Sequence, residues 1–150
     1  MVLQSEAFPN GGRIPMRYTA DGEDISPPLS WSGVPSATKS FALIVDDPDA
    51  PAGTWVHWVA WNIPSELRAL PEAIKPVANI PGLLVQGKND FQRLGYGGPS
   101  PPRGSHRYFF SLYALDTVLG LMPGANKQQL LAAMRGHILA EAKFFGLYSR

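Results

Sequence analysis

The chain has 150 residues, the length of one ordinary domain, and we predict a single domain over residues 1–150. Its 13 basic and 12 acidic side chains leave a formal net charge of +1, which excludes the strong positive field of a general nucleic-acid-binding protein. Fifteen glycines, fifteen prolines and no cysteine exclude a bundle of long helices, a disulfide framework and any site that depends on a thiol.

Short β-strands are the elements that the apolar pattern predicts most clearly. Three strands rich in β-branched and aromatic residues span residues 39–46, 54–63 and 106–115. Shorter candidates span residues 2–8, 29–31 and 83–87. Both faces of the strand at 54–63 are largely apolar, which is typical of a strand covered on both sides. Strict alternation divides its side chains into Trp55, His57, Val59 and Trp61 on one face and Val56, Trp58, Ala60 and Asn62 on the other.

One helix is predicted near the C-terminus. Asn126 can cap its first turn, and Gln129 stands three residues later, as in a capping box. An apolar stripe at i+4 spacing follows, formed by Leu130, Met134 and Ile138. Gly136 is a point at which this helix would break into two shorter pieces, and His137 beside it is expected to pack or cap the helix. Strands first and a helix late predict a mainly β fold, an antiparallel β-sandwich with a C-terminal helix.

The N-terminal residues carry no basic segment followed by an apolar one, so we expect no secretory signal if Met1 is the native start. The longest apolar runs, such as residues 41–45, are far shorter than the roughly 18 residues of a membrane span. We therefore expect a cytoplasmic protein without stable membrane insertion.

Two segments combine a constrained turn with a histidine in or beside a predicted strand. The first is DDPDAP at 46–51, which brings three carboxylates to a strand end and is followed by Trp55, His57 and Trp58. The second is residues 95–104, mostly glycine and proline, which run directly into His106 and Tyr108. Taken alone, the first segment predicts a rigid turn whose aspartates accept backbone N–H bonds, and the second predicts a structured loop. The repeated pairing of turn and histidine favours a binding site instead.

These two segments resemble the two signature motifs of the phosphatidylethanolamine-binding protein family, also called the Raf kinase inhibitor protein family. The first motif is DPDAP at 47–51 with Trp55 and His57-Trp58, and the second is YGGPSPPRGSHRY at 96–108. Further segments resemble the compact prokaryotic branch, namely YTADG at 18–22, SPPLSW at 26–31, LYALD at 112–116 and GHIL at 136–139. The resemblance implies two antiparallel sheets in Greek-key order with a C-terminal helix, in agreement with the strand pattern.

The resemblance also implies a small surface pocket for anions such as phosphate, acetate or a phospholipid head group. Carried over by position, its lining would be Asp47, Trp55, His57, Gly98, Ser100, Pro102, His106 and Tyr108. Ser100 departs from the family pattern, because many relatives have Gly there, and its side chain would either narrow the pocket or add a hydroxyl donor. No catalytic residue, metal or cofactor is implied.

The residue types in this set suit an anion. Glycine-rich turns let backbone N–H groups converge on an anion, Tyr108 adds an O–H donor, and either nitrogen of a histidine can donate. Because histidine titrates near pH 6.5, we expect anion binding to strengthen as pH falls through that region. The carboxylate of Asp47 fits such a site if it orients His57, or if the ligand is a zwitterion whose ammonium contacts Asp47 or the face of Trp55.

We therefore expect a non-enzymatic protein that binds a small phosphorylated or carboxylated ligand. The resemblance extends this expectation to a protein partner, a kinase or protease that the chain inhibits, and to a homodimer. A weak phosphatase or hydrolase that uses His57 or His106 stays open as an alternative, as does an iron site formed by these histidines and one aspartate. Hydrolase-elbow and P-loop motifs do not occur in the sequence. Arg103 and Arg107 flank the loop either as solvated charges or as groups that steer an anion.

Overall fold

The computed structural model describes all 150 residues, which form a β-sandwich with one α-helix. The strands are β1 Val2–Gln4, β2 Leu29–Ser32, β3 Ser40–Asp47, β4 Trp55–Pro64, β5 Ala69–Leu70, β6 Asn79–Ile80, β7 Leu84–Gln86, β8 Ser105–Leu115 and β9 Ile138–Ser149. The helix α1 spans Lys127–Met134, and a short 3₁₀ turn spans Met16–Tyr18. All the strands predicted from the sequence are present, with ends that differ by a few residues.

Two antiparallel sheets form the sandwich. The small sheet has the order β1-β2-β5, and the large sheet has the order β6-β7-β4-β3-β8-β9. In the large sheet, β8 returns to lie beside β3 after β4 and β7 have been added on the other side, which is Greek-key order. The predicted fold class, a mainly β protein with two antiparallel sheets and a helix near the C-terminus, is confirmed.

The large sheet is covered on both faces, and this explains the unbroken apolar run of β3. One face packs against the small sheet in a main core that contains Phe41 and Leu43. The other face packs against α1 in a second core, where Ile44 lies with Leu130 and Met134. Because successive residues of a strand point to opposite faces, both sets of β3 side chains had to be apolar.

Two β-bulges in β4 change the predicted division of its side chains between the faces. The pairing with β3 skips one residue at His57 and another near Asn62, whose φ is +54°. Val56 consequently enters the second core together with Val59, whereas Trp58 enters the main core. The strict alternation predicted over residues 54–63 is wrong at these points, because each extra residue moves the side chains that follow it to the opposite face of the sheet.

The helix begins where the sequence predicts and ends before its apolar stripe does. Asn126 and Gln129 form a reciprocal capping box, in which each side-chain oxygen accepts the other residue's backbone N–H at 2.9 Å. Leu130 and Met134 are buried, and the helix ends at Met134. No helix in the structure has both the length and the apolar character needed to cross a membrane.

Gly136 ends the helical segment by reversing the chain. Its φ of +82° lies in the left-handed region that glycine adopts without steric cost. Ile138, the last member of the predicted stripe, is therefore the first residue of β9, a strand of 12 residues that the sequence pattern did not reveal. His137 lies outside the helix rather than within it, and its Nδ1 is 2.8 Å from Asp116 Oδ1 on the surface.

Candidate functional site

A cavity of about 190 Å³ opens where the ends of β3, β4 and β8 meet two loops. Seven of the eight residues predicted from the sequence line it, namely Asp47, Trp55, His57, Ser100, Pro102, His106 and Tyr108. The remaining lining residues are Ala50, Pro51, Phe91 and Pro101. The fold therefore brings the predicted residues together, and ligand binding by them stays a prediction.

A larger groove of about 770 Å³ runs between the N-terminal segment and β9. Its charged lining residues are Glu6 and Lys143, and no histidine, tyrosine or aspartate lines it. The smaller cavity is the better candidate site because it brings two histidines, a buried aspartate and a tyrosine together.

His57 is positioned by the bulge in β4 and by the loop that follows β7. Its Nδ1 lies 2.6 Å from the carbonyl oxygen of Gly97, and the Gly97 N–H donates to the backbone oxygen of His57 at 2.9 Å. The ring is almost fully buried, and this burial lowers the pKa of the imidazole, although the hydrogen bond to Gly97 and the carboxylate of Asp47 act in the opposite direction. His57 is therefore neutral at neutral pH.

Asp47 and His106 form a buried pair across β3 and β8. The Nδ1 of His106 lies 2.7 Å from Asp47 Oδ2, and both side chains are more than nine-tenths buried. The other carboxylate oxygen of Asp47 accepts the Asp49 N–H at 2.7 Å. The expectation that Asp47 orients His57 is therefore wrong. The bulge turns His57 toward Gly97, whereas His106 on the neighbouring strand presents its Nδ1 to the carboxylate.

The other two aspartates of the segment 46–51 form ion pairs with residues outside the cavity lining. Asp46 points to the opposite face of the sheet and pairs with Lys127 of α1 at 2.7 Å. Asp49 accepts two hydrogen bonds from the Arg107 guanidinium at 2.8 and 2.9 Å, and these bonds lower the pKa of Asp49 to about 2. Arg107 is thus occupied by an ion pair. Only Asp47, of the three carboxylates, faces the cavity.

Tyr108 contributes a hydrogen-bond donor that the protein itself does not use. Tyr108 is one of the residues that line the cavity, and its hydroxyl is buried and has no hydrogen-bond partner. Burial, helped by the Asp47 carboxylate, raises the pKa of Tyr108, so that the group keeps its proton. An unpartnered buried hydroxyl costs about 1–3 kcal/mol, and a ligand oxygen in the cavity would remove that cost. Ser100 is also a lining residue, and its position fits both of its predicted roles, narrowing the cavity and adding a hydroxyl donor.

An aromatic wall that contains Phe91 of the loop between β7 and β8 forms part of the cavity lining. The Phe91 ring lies with its centroid 5.5 Å from Trp55 and 5.4 Å from His57, both in edge-to-face contact. The sequence analysis missed Phe91, since it lies outside both motifs. The turn that positions it, in which Asn89 Oδ1 accepts the Phe91 N–H at 2.9 Å, was the only local signal.

Gly98 does not line the cavity, contrary to the prediction. Its N–H donates to Asp24 Oδ1 at 2.7 Å, and an added Cβ would lie 2.5 Å from the backbone oxygen of Tyr18. Since the Gly97 N–H is also occupied, by His57, the glycine-rich loop does not direct these amides at an anion. Glycine is required here for close packing of the loop rather than for ligand contact.

The cavity has an unusual charge for an anion site. No lysine or arginine lines it, and Asp47 is its only carboxylate. No group of three histidine or carboxylate side chains has a geometry that could hold a metal ion. Among the side chains of the lining, the polar groups that could contact a ligand include the two imidazoles, the Tyr108 hydroxyl, Ser100 and the indole N–H of Trp55.

Comparison with known proteins decides the family. A sequence model described as phosphatidylethanolamine-binding protein matches residues 4–149. The chain belongs to the phosphatidylethanolamine-binding protein family. This confirms the resemblance that the two motifs indicated, and it supports a binding protein in general.

Relatives in the family span the whole chain. A UPF0098 protein of Methanothermobacter thermautotrophicus is 59% identical over 150 residues, covering 100% of this chain and 99% of the relative. A UPF0098 protein of Aquifex aeolicus is 53% identical, covering 100% of this chain and 89% of the relative. Among solved structures, a family homologue from Chlamydia trachomatis has a TM-score of 0.91 and 44% identity over 99% of this chain and 96% of its own. Escherichia coli YbcL has the same TM-score with 32% identity over 99% of this chain and 98% of its own.

Proposed function

We propose that the cavity binds a small phosphorylated or carboxylated ligand, of the size of a phospholipid head group, without chemical turnover. The buried, unpartnered hydroxyl of Tyr108 is the observation that carries this proposal. A buried polar group without a partner requires an explanation, and a ligand oxygen would supply the missing acceptor here because Tyr108 adjoins the cavity, unlike the equally unpartnered Trp31 indole in the main core. Membership in a family described as phosphatidylethanolamine-binding adds independent support.

The aromatic wall supports a zwitterionic ligand such as O-phosphorylethanolamine. Its phosphate oxygens can accept from Tyr108 and Ser100, while its ammonium can lie against the rings of Trp55 and Phe91, an interaction worth about 0.5–2 kcal/mol. Asp47 contributes through the field of its carboxylate, since both of its oxygens already accept hydrogen bonds.

An amide-resolved NMR titration with phosphate and O-phosphorylethanolamine at pH 6 and pH 7.5 tests this proposal. We expect saturable shifts at Ser100, His57 and His106, and tighter binding of the zwitterion. His57→Ala and His106→Ala should weaken binding, whereas His137→Ala, which alters an exposed histidine outside the cavity, should leave it unchanged. The absence of shifts at millimolar ligand would refute the proposal.

A weak phosphatase or hydrolase is the second candidate function, and one observation favours it. The Asp47–His106 pair places a carboxylate behind an imidazole at 2.7 Å, the arrangement that activates histidine as a general base or nucleophile. Turnover of p-nitrophenyl phosphate that copurifies with the protein and disappears in both His57→Ala and His106→Ala would favour the enzyme. Saturable phosphate binding without turnover would favour the binding protein.

We further propose a cytoplasmic location and inhibition of a protein kinase or protease that contacts the cavity rim. Trp55 is 37% exposed at this rim, and large aromatic residues are frequent contributors to binding energy at interfaces. Trp55→Ala should abolish inhibition of such a partner, whereas Trp31→Phe, a buried change in the main core, should retain it.

A further inference from the structure

Hydrogen bonding determines which nitrogen of each cavity histidine carries a hydrogen. The partners of the two Nδ1 atoms are the Gly97 carbonyl oxygen and the Asp47 carboxylate. Both partners can only accept, so each Nδ1 must be the N–H donor. In a neutral imidazole the Nε2 then carries a lone pair. Neither Nε2 has a partner within the protein, and both rings line the cavity, so the neutral site presents two acceptors to a ligand.

An oxyanion entering this neutral site would meet the wrong kind of group. Its oxygens would face two imidazole lone pairs beside a carboxylate, with no lysine or arginine in the lining. Tyr108 and Ser100 supply the available hydroxyl donors. Two acceptors that face each other repel unless a proton lies between them. Burial adds a further cost, since each acceptor loses its water without gaining a donor.

The charged groups around the two rings do not compensate for this shortage of hydrogen-bond donors and positive charge. Asp47, Asp24 and Asp46 act on His57, and Asp47 and Asp49 act on His106. Among the positively charged side chains, Arg107 is paired with Asp49, and Arg150 is paired with Asp21. Tyr108 and Tyr148 are uncharged neighbours, and the Tyr148 hydroxyl donates to Asp21.

We infer that the cavity takes an oxyanion only together with one proton, held between a ligand oxygen and the Nε2 of His106 or His57. This inference deepens the proposed function and rests on it. The preferred ligands are then oxyanions that carry an O–H group of their own, such as hydrogen phosphate or a singly protonated phosphate monoester. A fully ionised oxyanion such as sulfate binds only after the protein has taken up a proton.

His106 is the better position for a proton carried by the protein. Its imidazolium would face the Asp47 carboxylate at 2.7 Å, so that protonation turns a buried negative charge into a neutral pair. His57 has a carbonyl at the same position instead, and its burial lowers its pKa. With His106 protonated, the Asp47–His106 pair is neutral, so the net charge of the occupied site equals that of the bound anion, which is two negative charges for sulfate.

Calorimetric titration of the wild-type protein with sodium sulfate and sodium phosphate tests the inference. Repeating the sulfate titration at pH 6.5 in two buffers of different ionisation enthalpy gives the number of protons bound, which we expect to be close to one. Sulfate affinity should rise about ten-fold per pH unit as pH falls through the range in which the imidazoles are neutral. Phosphate should bind at least ten-fold more tightly than sulfate at pH 7.5, and this ratio should shrink at pH 5.5.

Asp47→Asn provides an independent test, because the inference predicts that this variant gains sulfate binding at pH 7.5 rather than losing it. In this variant the amide oxygen can keep the Asp49 N–H, which leaves the NH₂ group facing His106 Nδ1. The ring would then carry its hydrogen on Nε2 and donate to the ligand while neutral. We expect sulfate to bind at pH 7.5 with proton uptake reduced toward zero. Asp116→Asn is the matched control, because it changes an exposed aspartate–histidine pair at 2.8 Å outside the cavity and should preserve the uptake.

The outcomes separate this inference from the proposed function. If neither phosphate nor O-phosphorylethanolamine produces shifts at the cavity residues, the proposed function itself fails. If phosphate binds there but sulfate binds equally well at pH 7.5 and 5.5 without proton uptake, the proposed function stands and the proton coupling is wrong. Nitrogen-15 shifts of the wild-type rings that show hydrogen on Nε2 at pH 7.5 would also overturn it, whatever the behaviour of the variant.

Discussion

The three aspartates of the segment 46–51 make entirely different contacts. Asp46 binds a lysine of α1, Asp47 binds His106, and Asp49 binds Arg107. Alternation along β3 separates the first two, because successive side chains leave a strand on opposite faces. Composition alone suggested a cluster of three carboxylates, whereas a single buried one reaches the cavity.

At Tyr108 we predict opposite effects on stability and on binding. Tyr108→Phe removes a buried hydroxyl that has no partner, so the free energy of unfolding should stay constant or rise by about 1 kcal/mol. The same change should weaken phosphate binding roughly ten-fold, because a hydrogen bond to a charged oxygen is lost. Urea unfolding and the NMR titration measure the two quantities.

Tyr96→Phe is the control for this prediction. The Tyr96 hydroxyl donates to the Tyr18 backbone oxygen at 2.6 Å and does not line the cavity. Its removal should lower the free energy of unfolding by about 1 kcal/mol and leave phosphate binding unchanged. A large loss of stability in Tyr108→Phe would show that its hydroxyl has a partner after all.

Asp49 makes a pH-dependent contribution to stability. Its pKa is about 2 in the folded protein and near 3.8 ordinarily, because the Arg107 guanidinium stabilises the carboxylate. A lowered pKa stabilises the fold above the ordinary value, and that contribution is lost as pH falls from about 4 toward 2. Asp49→Asn should therefore cost roughly 1 kcal/mol at pH 7, after allowance for solvent screening, and almost nothing at pH 2.

Urea unfolding of Asp49→Asn at pH 7, 4 and 2 checks this dependence. Glu66→Gln serves as the control, because Glu66 is exposed and forms no ion pair. An equal cost of Asp49→Asn at all three pH values would contradict the assignment to the ion pair.

At the scale of secondary structure, single residues redirect whole elements. The bulge at His57 changes which face of the sheet the neighbouring side chains of β4 occupy, and it places the imidazole beside Gly97. The left-handed Gly136 ends α1 and starts the turn into β9, which then completes the large sheet beside β8. Periodicity cannot reveal either event, since a bulge and a turn each break the period that defines the element.

Gly136→Ala tests the turn between α1 and β9. A Cβ at this position would meet no atom within 4 Å, so only the backbone conformation at φ = +82° opposes alanine. We expect a loss of about 1–2 kcal/mol in the free energy of unfolding. Gly120→Ala is the matched control, with equally open space and a φ outside the left-handed region, and it should be neutral or slightly stabilising. Equal effects of the two changes would contradict the role of the left-handed turn.

At the scale of the whole molecule, sheet order assembles the cavity. β3 lies between β4 and β8 and is antiparallel to both, so its C-terminal end meets the beginnings of the two neighbours. Asp47, His57 and His106 all lie near the ends of these three strands, on the same side of the molecule. The loop between β7 and β8, which carries both Phe91 and Ser100, contributes the remaining wall together with Ala50 and Pro51 of the loop between β3 and β4.

We also predict a homodimer, on the basis of the family resemblance. Light scattering should give a mass of about twice the 16.3 kDa of one chain, with a concentration-dependent fall toward that value on dilution. A mass of one chain at every accessible concentration would contradict the dimer and leave the cavity proposals unaffected.

The sequence by itself determined the family, the three strands predicted at residues 39–46, 54–63 and 106–115 and the start of the helix, because each depends on neighbouring residues, whereas β9 was not predicted. DPDAP and the glycine-proline loop identified seven of the lining residues, and the Asn126–Gln129 pair marked the capping box. Tertiary structure alone decided how those residues are used. The bond from His57 to Gly97 spans 40 positions and the bond from His106 to Asp47 spans 59. Such contacts determine the tautomer of each ring, the orientation of Asp47 and the loss of Gly98 from the site, because they depend on which strands become neighbours.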